Sequence, residues 1–182
     1  MKMLVNRTAL VSALPFDLEE VKAHLRVGDD SDDDAITKMA RTSAAEIEQF
    51  SQIGLLNQTV TVTLLDPALD RIISLPIGPV AADIVPTVTV EGEAFTGFTF
   101  FGGNRPSIWF KPEYRHTTPS QVTIEYQAGF GPDASTIPPD LAEALMDQTA
   151  LHYDGRSPMD ARSLTTSPHM ARIGAKYRGV QL

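Results

Sequence analysis

At 182 residues the chain is long enough for one folding unit, with or without an insertion, and needs no disulfide or metal staple to bury a core. Its 42% hydrophobic and 21% charged residues are an ordinary globular composition, and the absence of Cys excludes disulfide, zinc-thiolate and thiol-nucleophile chemistry. A formal net charge of -8 argues against a broad grip on nucleic acid, which depends on Lys and Arg displacing counterions. The charge is unevenly placed: residues 1–150 hold 10 Lys and Arg against 21 Asp and Glu, whereas residues 151–182 hold 5 against 2. No apolar run approaches the roughly 18 residues of a membrane span, and Ala9–Leu14 stops at Pro15, so neither anchor nor signal peptide is expected.

The first helix signal starts at Asp17, whose carboxylate can take up free backbone amides, with Glu20 completing a capping box. Leu18, Val21 and Leu25 fall on one stripe, which stops at Val27-Gly28. Asp32, Asp33 and Asp34 then favour the start of a second helix, along which Ile36, Met39, Ala40, Ser43, Ile47 and Phe50 recur at spacings of three and four. Gly54 offers it a left-handed cap. From Gln58 the period becomes two, with Val60, Val62 and Leu64 opposite Thr59, Thr61 and Thr63. Further strands are expected over 71–75, 87–90, 97–101, 107–110 and 121–126, separated by Pro, Gly and Asn turns. Ile137-Pro138-Pro139-Asp140 restarts helical chemistry, and Leu141, Ala144, Leu145 and Leu151 carry an apolar face as far as Gly155.

Strands do not alternate with helices, which disfavours a parallel doubly wound sheet and predicts an α+β fold. The expected organisation is an N-terminal helical part over 1–56, an antiparallel β insertion over 57–131, a third bundle helix over 132–155 and an extended basic arm over 156–182. Within the arm a short helix is expected near Met170 to Lys176.

Motifs for chemistry are sparse. Gly129-Phe130-Gly131-Pro132-Asp133-Ala134 fits a dinucleotide fingerprint in letters, but Pro138-Pro139 delays the helix whose amino end would meet the phosphates. The aspartates at 29, 30, 32, 33 and 34 lack the Gly and Glu of a calcium loop and read as a solvated acidic turn. His24, His116, His152 and His169 never pair at the spacing that puts two ligands on one helix face. Phe98, Phe100, Phe101, Trp109 and Phe110 could stack bases, yet alternating aromatics with few interleaved cations read as core. No catalytic, cofactor-binding or metal-binding set is expected. The arm stands out: Arg156, Arg162, Arg172, Lys176 and Arg178 punctuate a Ser, Thr, Pro and Gly-rich segment, with Met170, Ile173, Tyr177, Val180 and Leu182 as spaced apolar anchors. Such a segment reads either as a frayed end or as one that orders on a partner.

Several segments in order carry a resemblance. They are 18–27 followed by the aspartate run and Ala35-Ile36, Gly54-Leu55-Leu56-Asn57-Gln58-Thr59, Val122 through Gly131 into Ile137-Pro138, and Lys176-Tyr177-Arg178. Together they make the chain resemble the head-tail connector, or adaptor, proteins of long-tailed bacteriophages and gene transfer agents. The resemblance implies a non-enzymatic ring, typically dodecameric, at the neck of a phage-like particle assembled in the bacterial cytoplasm. The ring would sit between the portal protein and a stopper or other neck or tail protein, with DNA passing through its channel without sequence-specific binding. It also implies portal contact through Arg172, Ile173, Lys176, Tyr177, Arg178 and Leu182. Deleting 168–182 is then expected to leave the body folded. Two alternatives remain at this point: a stopper or tail-terminator neck protein, and a small-molecule-binding enzyme using the β insertion.

Overall fold

A computed structural model describes residues 2–67, 72–156 and 166–178. The chain divides into two compact units, one formed by 1–11 with 57–130 and the other by 12–56 with 131–182. The fold is α+β, with antiparallel sheets in the first unit and helices in the second, as the sequence predicts.

The β unit holds β1 (Lys2–Ala9), β2 (Gln58–Leu65), β3 (Ile72–Ser74), β4 (Thr87–Val90), β5 (Glu93–Ala94), β6 (Phe98–Phe101), β7 (Ser107–Phe110) and β8 (Gln121–Ala128). A five-stranded sheet runs β1-β2-β8-β4-β5 and a three-stranded sheet runs β3-β7-β6. The period of two in β2 is observed directly: Val60, Val62 and Leu64 are buried while the threonines between them are half-buried. Their register partners on β8 are Tyr126, Ile124 and Val122, also buried. Each such aliphatic side chain removed from water contributes about 1.5–3 kcal/mol. Phe110 and Tyr114 extend the core as a stacked pair with centroids 4.2 Å apart. The Tyr126 hydroxyl, buried with them, donates to the Ile77 carbonyl at 3.1 Å. Of the aromatics weighed as a stacking platform, Phe110 is core and Phe98 and Phe100 pack against it, while Phe101 and Trp109 stay exposed.

Two corrections concern this unit. Lys2–Ala9 is a strand paired along its length with β2, so residues 1–56 are not wholly helical. Exposed at six of its eight positions, β1 shows no alternation for a sequence pattern to reveal. The β5 strand, two exposed residues, is likewise silent in the sequence.

The helical unit holds α1 (Leu18–Leu25), α2 (Asp33–Ser51), α3 (Pro139–Asp154) and α4 (Pro168–Tyr177). Asp17 caps α1, its Oδ1 accepting from the amides of Glu19 at 2.8 Å and Glu20 at 3.2 Å. Val21, Ile36, Ala40, Ala44, Ile47, Leu141, Ala144 and Leu145 form the buried seam. The helix ends fall earlier than glycine placement suggests. Arg26 and Gln52, at φ 59° and 57°, take left-handed caps, the first just before Val27-Gly28, where the stripe stops, and the second ahead of the cap expected at Gly54. The turn at Gln52 aims Ile53 and Leu55 inward, each 1% exposed, a burial that outweighs the cost of a non-glycine in that conformation.

Residues 156–182 are not simply an extended arm. Pro168–Tyr177 is a helix of the bundle, one residue or two longer at each end than the short helix expected there, and it packs on α2 and α3. Its apolar stripe, Met170, Ile173 and Tyr177, is buried.

Candidate partner-binding surface

The start of α4 is set by its own sequence. Ser167 caps the helix, its Oγ accepting from the Met170 amide at 2.9 Å, and Pro168 occupies the first turn, where a missing amide costs nothing. The Ser167 amide donates to Gln148 Oε1 at 2.8 Å, and Gln148 Nε2 donates to Glu46 Oε2 at 2.8 Å. A chain of polar groups thus runs from α2 through α3 to the cap of α4. His152 joins it, with Nε2 3.0 Å from the same Glu46 oxygen. Glu46, Gln148 and His152, with Phe50 and Met170, line an open groove of about 370 Å³.

Asp147 on α3 lies between two histidines, His24 Nε2 on α1 at 3.1 Å and His169 Nδ1 on α4 at 2.8 Å. At the far end of α4, Asp140 accepts from Lys176 Nζ at 2.8 Å and from the Tyr177 hydroxyl at 3.0 Å. Burial acts to raise the Asp140 carboxyl, but the Lys176 and Tyr177 hydrogen bonds outweigh it and hold the group below the usual carboxylate range. Gly174 permits close approach: a β-carbon there would overlap the Phe50 ring and the Ser51 hydroxyl.

The residues expected to meet a partner therefore divide. Arg172 is exposed, Lys176 is largely exposed while paired with Asp140, and the exposed Arg178 lies with its guanidinium 5.8 Å from the Phe50 ring centroid. Ile173 and Tyr177, expected to contact the portal, face the chain's own bundle at 6% and 9% exposure. Leu182 lies outside the described residues. Deleting 168–182 would strip the buried side chains of Met170, Ile173 and Tyr177 from the bundle, which weighs against the expectation that the body stays folded without that segment.

The acidic turn holds a cation that sequence reading passed over. Lys22, its side chain 5% exposed, reaches Asp30 Oδ1 at 2.6 Å and Asp33 Oδ1 at 2.8 Å, and these partners raise its pKa above the ordinary lysine value. Asp32 accepts from Arg156 Nη1 at 2.8 Å and the Tyr153 hydroxyl at 2.9 Å, which lowers its carboxyl and ties the start of α2 to the end of α3. Among the described residues no three His, Asp or Glu side chains are grouped so as to hold a metal ion.

Residues 16–77 match the family of phage gp6-like head-tail connector proteins. No curated protein matches the chain. A chain from the virion of a native gene transfer agent particle superposes with a TM-score of 0.74 at 24% identity, over 98% of this chain and 97% of that one. Chains from the neck of a native particle computed with C12 symmetry and of an empty particle computed with C6 symmetry each give 0.72, at 22% and 23% identity, over 98% of this chain and 97% of theirs. These structures share the fold from end to end. The connector resemblance read from the sequence is thereby met by a family match and a fold match found independently.

Proposed function

We propose that the chain is a structural head-tail connector, an adaptor subunit of a phage-like particle's neck. The observation that carries this reading is the coincidence of a connector-family match over 16–77 with a fold shared over 98% of the chain with neck and virion chains of gene transfer agents. Copies assemble into a ring, a dodecamer, whose channel passes DNA. The acidic body suits that task, since a surface poor in Lys and Arg holds the phosphate backbone weakly. The reading makes the protein a non-enzyme whose partners are its own copies, the portal protein and the next neck or tail protein.

In this reading α4 presents Arg172, Lys176 and Arg178 to the portal, with the residues up to Leu182 following, while Ile173 and Tyr177 hold the helix on its bundle. Host cells lacking the chain should yield filled heads without tails, and a copy carrying Arg172→Glu should form rings that fail to dock on portal-bearing heads. Intact tailed particles in the absence of the chain would overturn the proposal. Tails joined to heads in the absence of this chain's ring, with the chain bound instead to the tail tube, would favour the tail-terminator alternative.

A further inference from the structure

The five-stranded sheet ends in two unlike edges. One is β1, eight residues long and paired among the described residues with β2 alone. An edge strand of this length offers a row of backbone donors and acceptors to another strand. The register puts Met3 and Val5 opposite Leu64 and Val62, on the face that carries the core, yet Val5 is 43% exposed. On the other face Leu4, opposite Thr63, is 45% exposed. The second edge is the β4–β5 hairpin, whose outer strand, Glu93–Ala94, is exposed. The edges are opposite in charge: β1 carries Lys2 and Arg7 and no carboxylate, whereas the hairpin carries Glu91 and Glu93 and no cation.

Building on the ring reading above, we infer that β1 of one subunit adds edge to edge onto the β4–β5 hairpin of the next copy, so that the sheet continues from subunit to subunit. The contact joins two different surfaces of one chain, the heterologous kind that propagates and closes into a ring, whereas β1 pairing with β1 would end at a two-fold dimer. Every neighbouring pair in the sheet is antiparallel, so β1 and β5 run in the same direction and a rotational repeat makes the new junction parallel. Docking would cover Leu4 and Val5 and set Lys2 near Glu93, giving the junction apolar burial and a charge match.

The chain has no Cys, so engineered thiols react only where they are placed. Full-length variants combining Leu4→Cys or Val5→Cys with Glu93→Cys or Ala94→Cys are assembled into particles, oxidised and separated without reductant. At least one double variant should give a ladder of covalent oligomers, and no single variant should. Lys2→Glu and Glu93→Lys should each lower ring yield about tenfold, and their combination should restore it. Rings that assemble with no ladder from any double variant, a dimer from a β1 thiol alone, or charge reversals without effect would overturn this inference and leave the connector reading standing. Absence of rings, with the chain missing from particle necks, would overturn both.

Discussion

The Tyr177 hydroxyl donates to Asp140 Oδ1 at 3.0 Å, joining the last residue of α4 to the first turn of α3. Lys176 takes the other carboxylate oxygen, so one acidic side chain holds the end of the helix that bears the exposed cations. Asp140→Asn should weaken this attachment by about 1 kcal/mol, read as about a fivefold loss of hydrogen-exchange protection along α4. Because the folded carboxyl lies below its ordinary value, its contribution is complete above about pH 4 and lost as pH falls through the lowered value. The wild-type attachment should therefore hold from neutral pH down to that point and loosen below it. Equal protection in the variant at pH 7 would contradict the assignment.

Gly174→Ala gives a test with a sharp sign. On an exposed helix face the change should stabilise by up to about 1 kcal/mol through propensity alone. Against Phe50 and Ser51 it should instead cost about 1–3 kcal/mol, with α4 exchanging faster than the rest of the bundle. Ala175→Ser, on the exposed side of the same turn, should stay within about 0.5 kcal/mol of wild type.

Lys22→Met should lower the thermal midpoint by leaving Asp30 and Asp33 beside each other without their cation. Since the folded lysine titrates above its unfolded value, its stabilisation is complete below the ordinary lysine pKa of 10.5 and disappears only as pH rises through the higher value. Thermal melts at pH 7 and pH 10 should then show a similar penalty for the variant. A penalty already absent at pH 9 would contradict this role.

In the β core the Tyr114 hydroxyl is buried and has no hydrogen-bond partner among the described residues. Tyr114→Phe should consequently be neutral or stabilise by up to about 1 kcal/mol. Phe110→Ala, which removes its stacking partner, should cost about 3–5 kcal/mol. Denaturant melts of both variants decide the matter, and a large loss in Tyr114→Phe would mean that the hydroxyl is satisfied by bound water.

Periodicity made the buried elements legible. β2 and the long α2 each bury one face, so Val60, Val62 and Leu64, and Ile36, Ala40 and Ile47, announce their elements by spacing. β1 escaped because an edge strand exposed on both faces has no alternation to read. The cap at Gln52 escaped because tertiary burial of the residues beyond, Ile53 above all, overrides the preference for glycine. The basic character of the C-terminal segment was visible, but its packing was not. Tyr177 meets Asp140 across 37 positions, and Gln148 meets Glu46 across 102, separations that composition and spacing do not encode. Lys22 left a fainter trace: a lysine one turn before the end of α1, facing the aspartates that follow, is the pattern that a reading of the acidic turn as merely solvated passes over.

Electron microscopy of purified particles, with this chain carrying a compact tag, measures the central claim most directly. The account predicts tag density repeated around the neck axis, once per subunit of a closed ring seated on the portal. Tag density elsewhere in the particle, or particles with complete necks that lack the chain, would contradict it.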